Sequence, residues 1–211
     1  MNGLARDPQS ALRARLFGNV HIAIGETPLS DETWSRKHAR GVLLLLLSAP
    51  GHWLPRDAII EALWPALSPD SAVKSFYVAV HSLRRTLEPA LRSGRESSYV
   101  EISDEIVRLV PGSVATVDVE EFERALQAIS GDRRRHLATA LALYAGDFLA
   151  DEPYLDWPAA RREQLRWQWR EAVLEYARLE READQPLLAI PAIERVLASD
   201  PTDEAAYSAL M

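Results

Sequence analysis

The chain has no cysteine among its 211 residues, which excludes disulfides, thiol nucleophiles and cysteine-ligated zinc together. Its nine glycines never come closer than seven positions, Gly18 to Gly25, so neither a G-x-G-x-x-G fingerprint nor a Walker loop can form. The five histidines, at 21, 38, 52, 81 and 136, are scattered, and no H-E-x-x-H pair offers a zinc site. A G-x-S-x-G nucleophile elbow is missing as well. The acids Asp147, Asp151, Glu152 and Asp156 share one stretch, but Pro153 interrupts it and the ligand–glycine pattern of an EF-hand is lacking. That stretch reads as a solvated turn that caps helices. Neither an enzyme nor a bound cofactor or metal is expected. Long apolar runs are also missing: the longest, residues 42–47, is far below the ~20 residues of a membrane span. Residues 1–15 carry scattered arginines and no hydrophobic signal-peptide core, so a cytoplasmic protein without a membrane partner is expected.

What the chain has is charge, unevenly placed. Its 24 Lys+Arg against 31 Asp+Glu give a formal −7, which by itself disfavours nucleic acid. Divided near Ala115, the first part holds 13 cations and 12 acids (+1), and the second holds 11 and 19 (−8). Such asymmetry suggests two jobs.

Patterning divides the chain the same way. Residues 1–14 read as a flexible arm, and residues 16–24 as one strand, with Val20, Ile22 and Ile24 alternating before a Gly25-Glu26-Thr27-Pro28 turn. Helical spacing predicts helices over residues 35–48, 55–64 and 69–87. Pro55 and Pro69 suit first turns, and Ser68 suits an N-cap. Residues 98–102 and 106–110 then flank Ser103-Asp104-Glu105 as a hairpin. Helix, tight turn, helix and hairpin outline an α+β winged helix-turn-helix over residues 15–115.

Residues 116–211 read as all-α. Asp118 and Glu121 resemble a capping box, and Asp132 caps a helix that opens with Arg133-Arg134-Arg135, an exposed start. In the long helix over residues 159–183, Leu165, Trp169, Ala172, Tyr176, Leu179 and Ala183 share a stripe. Trp167 and Leu174 lie almost opposite, so the helix should be sandwiched between neighbours. A helix pair ending in Asp200-Pro201 suggests a tetratricopeptide (TPR)-like domain, and a last helix without a partner suggests a fragment of a longer one. Pro191 should kink the helix after Pro186.

On a wheel of 100° per residue, Val73, Phe76, Val80, Leu83 and Leu87 of the third helix face the core. Lys74, Val78, His81 and Arg85 face away, flanked by Tyr77 and Ser82, and Arg84 lies nearer the core edge. Lys and Arg can contact guanine edges or phosphates, and Val78 a thymine methyl. Residues 71–95 carry a local +4. Alone, such a face would be read as solvated, and His81 as a surface histidine. At the second helix of a helix-turn-helix it suits a major groove. Arg36, Lys37, His38 and Arg40 open the first helix, either gripping phosphates or forming a solvated first turn. Arg84, and Arg108 in the wing, are further phosphate candidates.

The stretches Trp34-Ser-Arg-Lys-His-Ala-Arg-Gly-Val-Leu-Leu, Pro55-Arg-Asp-Ala-Ile-Ile-Glu-Ala-Leu-Trp-Pro and Ala79-Val-His-Ser-Leu-Arg-Arg-Thr-Leu-Glu-Pro come in a telling order. They are followed by Val117-Asp-Val-Glu-Glu-Phe-Glu, Leu143-Tyr-Ala-Gly-Asp-Phe-Leu and the Trp157 segment. Over residues 15–211 the chain resembles SARP-family regulators, in which an OmpR-type winged helix precedes a bacterial transcriptional activator domain. The resemblance implies binding at promoter DNA, often at direct repeats, and recruitment of RNA polymerase or another protein by the helical domain. Many recognition helices of that family carry arginine where Ser82 stands, so base contacts do not transfer, and no receiver, forkhead-associated or NTPase module accompanies the two domains here. With its first half near neutral, the protein should bind DNA weakly as a monomer, helped by homodimerisation or a partner. The rival reading is a scaffold module of a larger signalling regulator, with a winged helix that does not bind DNA. A third is a small-molecule sensor built on Trp157, Trp167, Trp169 and Tyr176.

Overall fold

A computed structural model describes residues 11–34, 37–92, 94–103, 105–129 and 131–211. The described residues form two compact units, one within residues 11–14 and 21–117 and one within residues 15–20 and 118–211.

The first unit is built around helix α1 (Lys37–Ser48), in which Ala39 and every residue from Gly41 to Leu47 is buried. A helix apolar on all sides must be surrounded. It packs on α2 (Arg56–Leu63), α3 (Pro69–Leu87) and strand β6 (Ile106–Leu109). Gly41 permits the close approach of α2, since a Cβ there would lie 3.1 Å from a Leu63 methyl. Two sheets flank the helices. One has the order β3-β2-β1-β7, from β1 (Leu12–Arg15), β2 (His21–Ile24), β3 (Thr27–Pro28) and β7 (Val114–Val117). The other has the order β4-β6-β5, from β4 (Trp53–Pro55), β6 and β5 (Val100–Ser103).

Of the strand predicted over residues 16–24 only His21–Ile24 (β2) is strand: residues 16–20 belong to the second unit, and β1 (Leu12–Arg15) precedes the predicted stretch. The turn to β3 is only Gly25-Glu26, with Gly25 at φ +58°, a conformation that costs other residues a Cβ clash. β1 starts inside the stretch read as a flexible arm, whose residues 1–10 lie outside the described structure. β1 runs parallel to β7, Leu12 opposite Val114 and Ala14 opposite Val117. The wing hairpin β5–β6 is where the pattern put it, and β4 adds a third, antiparallel strand with Trp53 opposite Arg108.

In the second unit, α4 (Asp118–Gln127), α5 (Arg133–Leu143), α6 (Ala159–Glu182), α7 (Ile190–Ser199) and α8 (Glu204–Leu210) pack in succession. Helix α6 does lie between α5 and the α7–α8 pair. The second buried side is not the Trp167 face, however, because Trp167 is 62% exposed. Pro191 does not kink α7: residues Pro186–Leu188 form a 3-10 turn, α7 begins at Ile190, and the proline falls in the first turn, where no N–H is needed.

Residues 15–20 are an integral part of this helical unit. Leu16 and Phe17 donate their amide protons to the two carboxylate oxygens of Asp118 at 2.8 and 3.0 Å. Asp118 is thus a buried clasp rather than half of a capping box. The Leu16 carbonyl accepts from Leu149 N (2.8 Å), and Gly18 N donates to the Asp147 carbonyl (2.9 Å). Phe17 packs edge-on to Phe122 and against Tyr144, which stacks on Trp169 at 4.7 Å.

The Arg133-Arg134 pair is not an exposed helix start either. Arg133 makes a fork with Glu175, and Arg134 with the buried Glu180, both on α6. Arg170 holds the buried Asp203, the N-cap of α8, and Arg166 holds Asp147, one of the loop acids expected in solvent. Each arginine lowers the pKa of its carboxylate partner below the ordinary value. A lowered folded-state pKa means that the unfolded chain binds protons first, so this stabilisation is present above the unfolded values of 3.8–4.5 and is lost as pH falls below them. Burial raises Asp118 and gives the opposite sign, a contribution lost as pH rises, so the four paired acids outnumber it. We expect the helical unit to lose protection in hydrogen exchange steeply below about pH 4. A flat profile from pH 6 to 3 would contradict these pairings.

Candidate nucleic-acid interface

Helices α2 and α3 are joined by a turn in which Trp64 N closes α2 on the Ile60 carbonyl and Ala72 N opens α3 on the Ser68 carbonyl. Pro69 occupies the first turn of α3. Ser68 sits at the N-cap, but its hydroxyl donates to Ser71 Oγ at 2.9 Å and not to the helix backbone. Glu88, just past the end of α3, accepts from Ser97 Oγ and from Ser98 N at 2.8 Å. Ser97 Oγ in turn accepts from Tyr99 N and Val100 N, both at 3.2 Å. This chain of bonds ties the end of α3 to the start of the wing. No periodicity signals it, because it depends on a single carboxylate reaching across a loop.

Along α3 the buried residues are Ala72, Phe76, Ala79, Val80, Ser82, Leu83 and Leu87. Lys74, Tyr77, Val78, His81 and Arg85 are exposed, Tyr77 at 48% and Val78 at 46%. Ser82, expected on the flank of the outward face, is instead only 9% exposed and lies on the core side of the helix. On the wheel it sat at a flank, and packing turned that flank inward.

The flanking cations are less free than the sequence suggested. Arg84 is half-buried and donates from Nε to the Val100 carbonyl at 3.2 Å, bracing α3 against the wing. Arg108 is paired across the hairpin with Glu101 at 2.8 Å. Lys37 is exposed and Arg40 half-buried. Arg36 lies outside the described residues. His38 stacks on Trp64 at 4.9 Å, so its ring covers the α2–α3 turn instead of standing clear.

A cation that sequence reasoning passed over belongs here. Arg56, the first residue of α2, donates to Glu105 of the wing turn at 2.9 Å and to Asp57 at 3.1 Å. Its backbone N donates to the Glu105 carbonyl at 2.7 Å. Tyr77 of α3, together with the two acids, keeps the Arg56 pKa above its ordinary value. The signal was weak because Arg56 has no periodic partner, and its contacts come from two distant segments.

Among the described residues no group of His, Cys, Asp or Glu could hold a metal ion, and no helix is long and apolar enough to cross a membrane. The aromatic set proposed for a ligand is dispersed: Trp169 is buried on Tyr144, Trp157 meets Phe148 edge-on, and Trp167 is exposed.

Residues 117–211 match the sequence family of the bacterial transcriptional activator domain. Over these residues, just under half of the chain, the helical unit is similar to that domain. The structure of Mycobacterium tuberculosis EmbR in complex with a low affinity phosphopeptide shares the fold of this chain, with 24% identity and a TM-score of 0.74. That match covers 94% of this chain and 53% of EmbR, so the chain spans about half the length of the structure it resembles. No curated protein matches it significantly in sequence. The matched family begins at the junction of β7 and α4.

Proposed function

We propose that the chain is a DNA-binding transcriptional activator of the SARP type. The observation that carries this reading is the outward face of α3. Lys74, Tyr77, Val78, His81 and Arg85 are exposed together on the second helix of a helix-turn-helix, with a three-stranded wing behind it. A long cation, an apolar patch and an arginine on one helix face suit base edges in a major groove. Lys37 and Arg40 on α1, with Arg84 and Arg108, lie in the same unit and would serve phosphates, the last two only by exchanging their present partners. The activator domain, whose residues 118–211 hold most of the acid, would repel the duplex and take a protein partner such as RNA polymerase or a second copy of the chain.

Selection from random-sequence duplexes, repeated at about 50 and about 200 mM salt, tests the reading. We expect a motif to be enriched and affinity to fall steeply with salt. Failure to enrich any site would favour a scaffold, a reading supported by the pairing of Arg56 and Arg108 with acids.

A further inference from the structure

We propose that Arg56 is a phosphate contact of the DNA interface, held closed in the free protein by Glu105. The inference rests on the reading of α3 as the DNA-facing helix and adds to it a residue and a release step. The β4–β6 register sets Pro55 opposite Ile106, so the chain enters α2 directly beside the wing turn. Arg56 therefore sits where the start of α2 meets the turn of the wing, and Tyr77 on the exposed face of α3 is near enough to act on its charge.

The guanidinium is already occupied by carboxylate oxygens, the geometry it would use toward a phosphodiester. Its partners are poorly committed to it, since the Glu105 and Asp57 side chains are 68% and 76% exposed. Pairs of that kind are weak and screened by salt, and are readily exchanged. Glu105, at φ +69°, presents its acid on the wing turn. A duplex seated on α3 and the wing would bring phosphates toward this acid, and like charges cannot share the site. Arg56 then turns from Glu105 to the phosphate while Asp57 keeps its Nε side in place. The acid acts as a stand-in for the backbone of DNA, lowering affinity for any duplex that does not also engage α3.

A double-mutant cycle on the full chain tests this with a labelled duplex of the selected sequence, titrated at several salt concentrations. Glu105→Gln should tighten binding about fivefold in the native background and by less than about twofold beside Arg56→Ala. Arg56→Ala should weaken binding and reduce the salt slope by about one. Arg56→Lys should keep the slope, because a point charge satisfies a phosphate although it cannot make the fork to Glu105 and Asp57. Equal gains from Glu105→Gln in both backgrounds, or an unchanged slope in Arg56→Ala, overturn the inference while leaving DNA binding intact. A native chain that binds no duplex overturns the DNA reading and this inference with it.

Discussion

Replacing Lys74 and Arg85 together by alanine should weaken binding of the selected duplex about 30-fold or more while leaving the melting temperature nearly unchanged. Each contact of a cation with a base edge is worth about 1–3 kcal/mol, and about 1.4 kcal/mol is a tenfold change in affinity. Both side chains are exposed and alanine is the better helix former, so the fold loses little beyond the long 3.4 Å bond from Arg85 to the Leu91 carbonyl. Fluorescence anisotropy beside a thermal melt separates the two quantities. Affinity unchanged to within about threefold would remove this face from the interface, since even the weaker estimate exceeds that.

The second large effect concerns stability. Phe17→Ala should cost the helical unit about 3–5 kcal/mol, the range for a fully buried phenylalanine. The ring is only 2% exposed and fills the space between Phe122 and Tyr144. Its loss leaves a cavity next to the Tyr144–Trp169 stack and loosens the amides that Asp118 holds. Hydrogen exchange of the α5 amides reports this directly. A loss below about 1 kcal/mol would mean that residues 15–20 are not part of that core, whatever their position.

Both predictions turn on how far local pattern reaches. The three helices of the winged unit were legible because each carries its own periodicity and a proline or cap at its start, and the wing because a hairpin is a local structure. β1 and β7 were not legible: a parallel pair has no turn to announce it, and Leu12 meets Val114 across nearly the whole unit. Arg133 and Arg134 looked solvated because their partners, Glu175 and Glu180, are 42 and 46 residues away. Pro191 was misplaced by the few residues of 3-10 turn that delay α7. On α3, the exposure of Lys74, Val78, His81 and Arg85 followed from the wheel alone, since exposure of a helix face is set by its opposite side. Ser82 did not, because a flank position is decided by the neighbouring elements. Arg56 could not be found from spacing, as its importance lies in what the wing turn brings to it.

The pairing of β1 with β7 has a consequence for the order of events during synthesis. A ribosome releases residues 12–15 first, yet their strand partner emerges about a hundred residues later. The amides of Leu16 and Phe17 wait for Asp118 over separations of 102 and 101 residues. Until then β1 has only β2 to pair with, and Leu16 and Phe17 lack the partners that bury them. Neither unit can be finished by the nascent chain in the sequence in which it is written. Folding of this protein should therefore be slow and largely post-translational for a chain of its size, as expected where closure of long loops precedes the contacts that reward it.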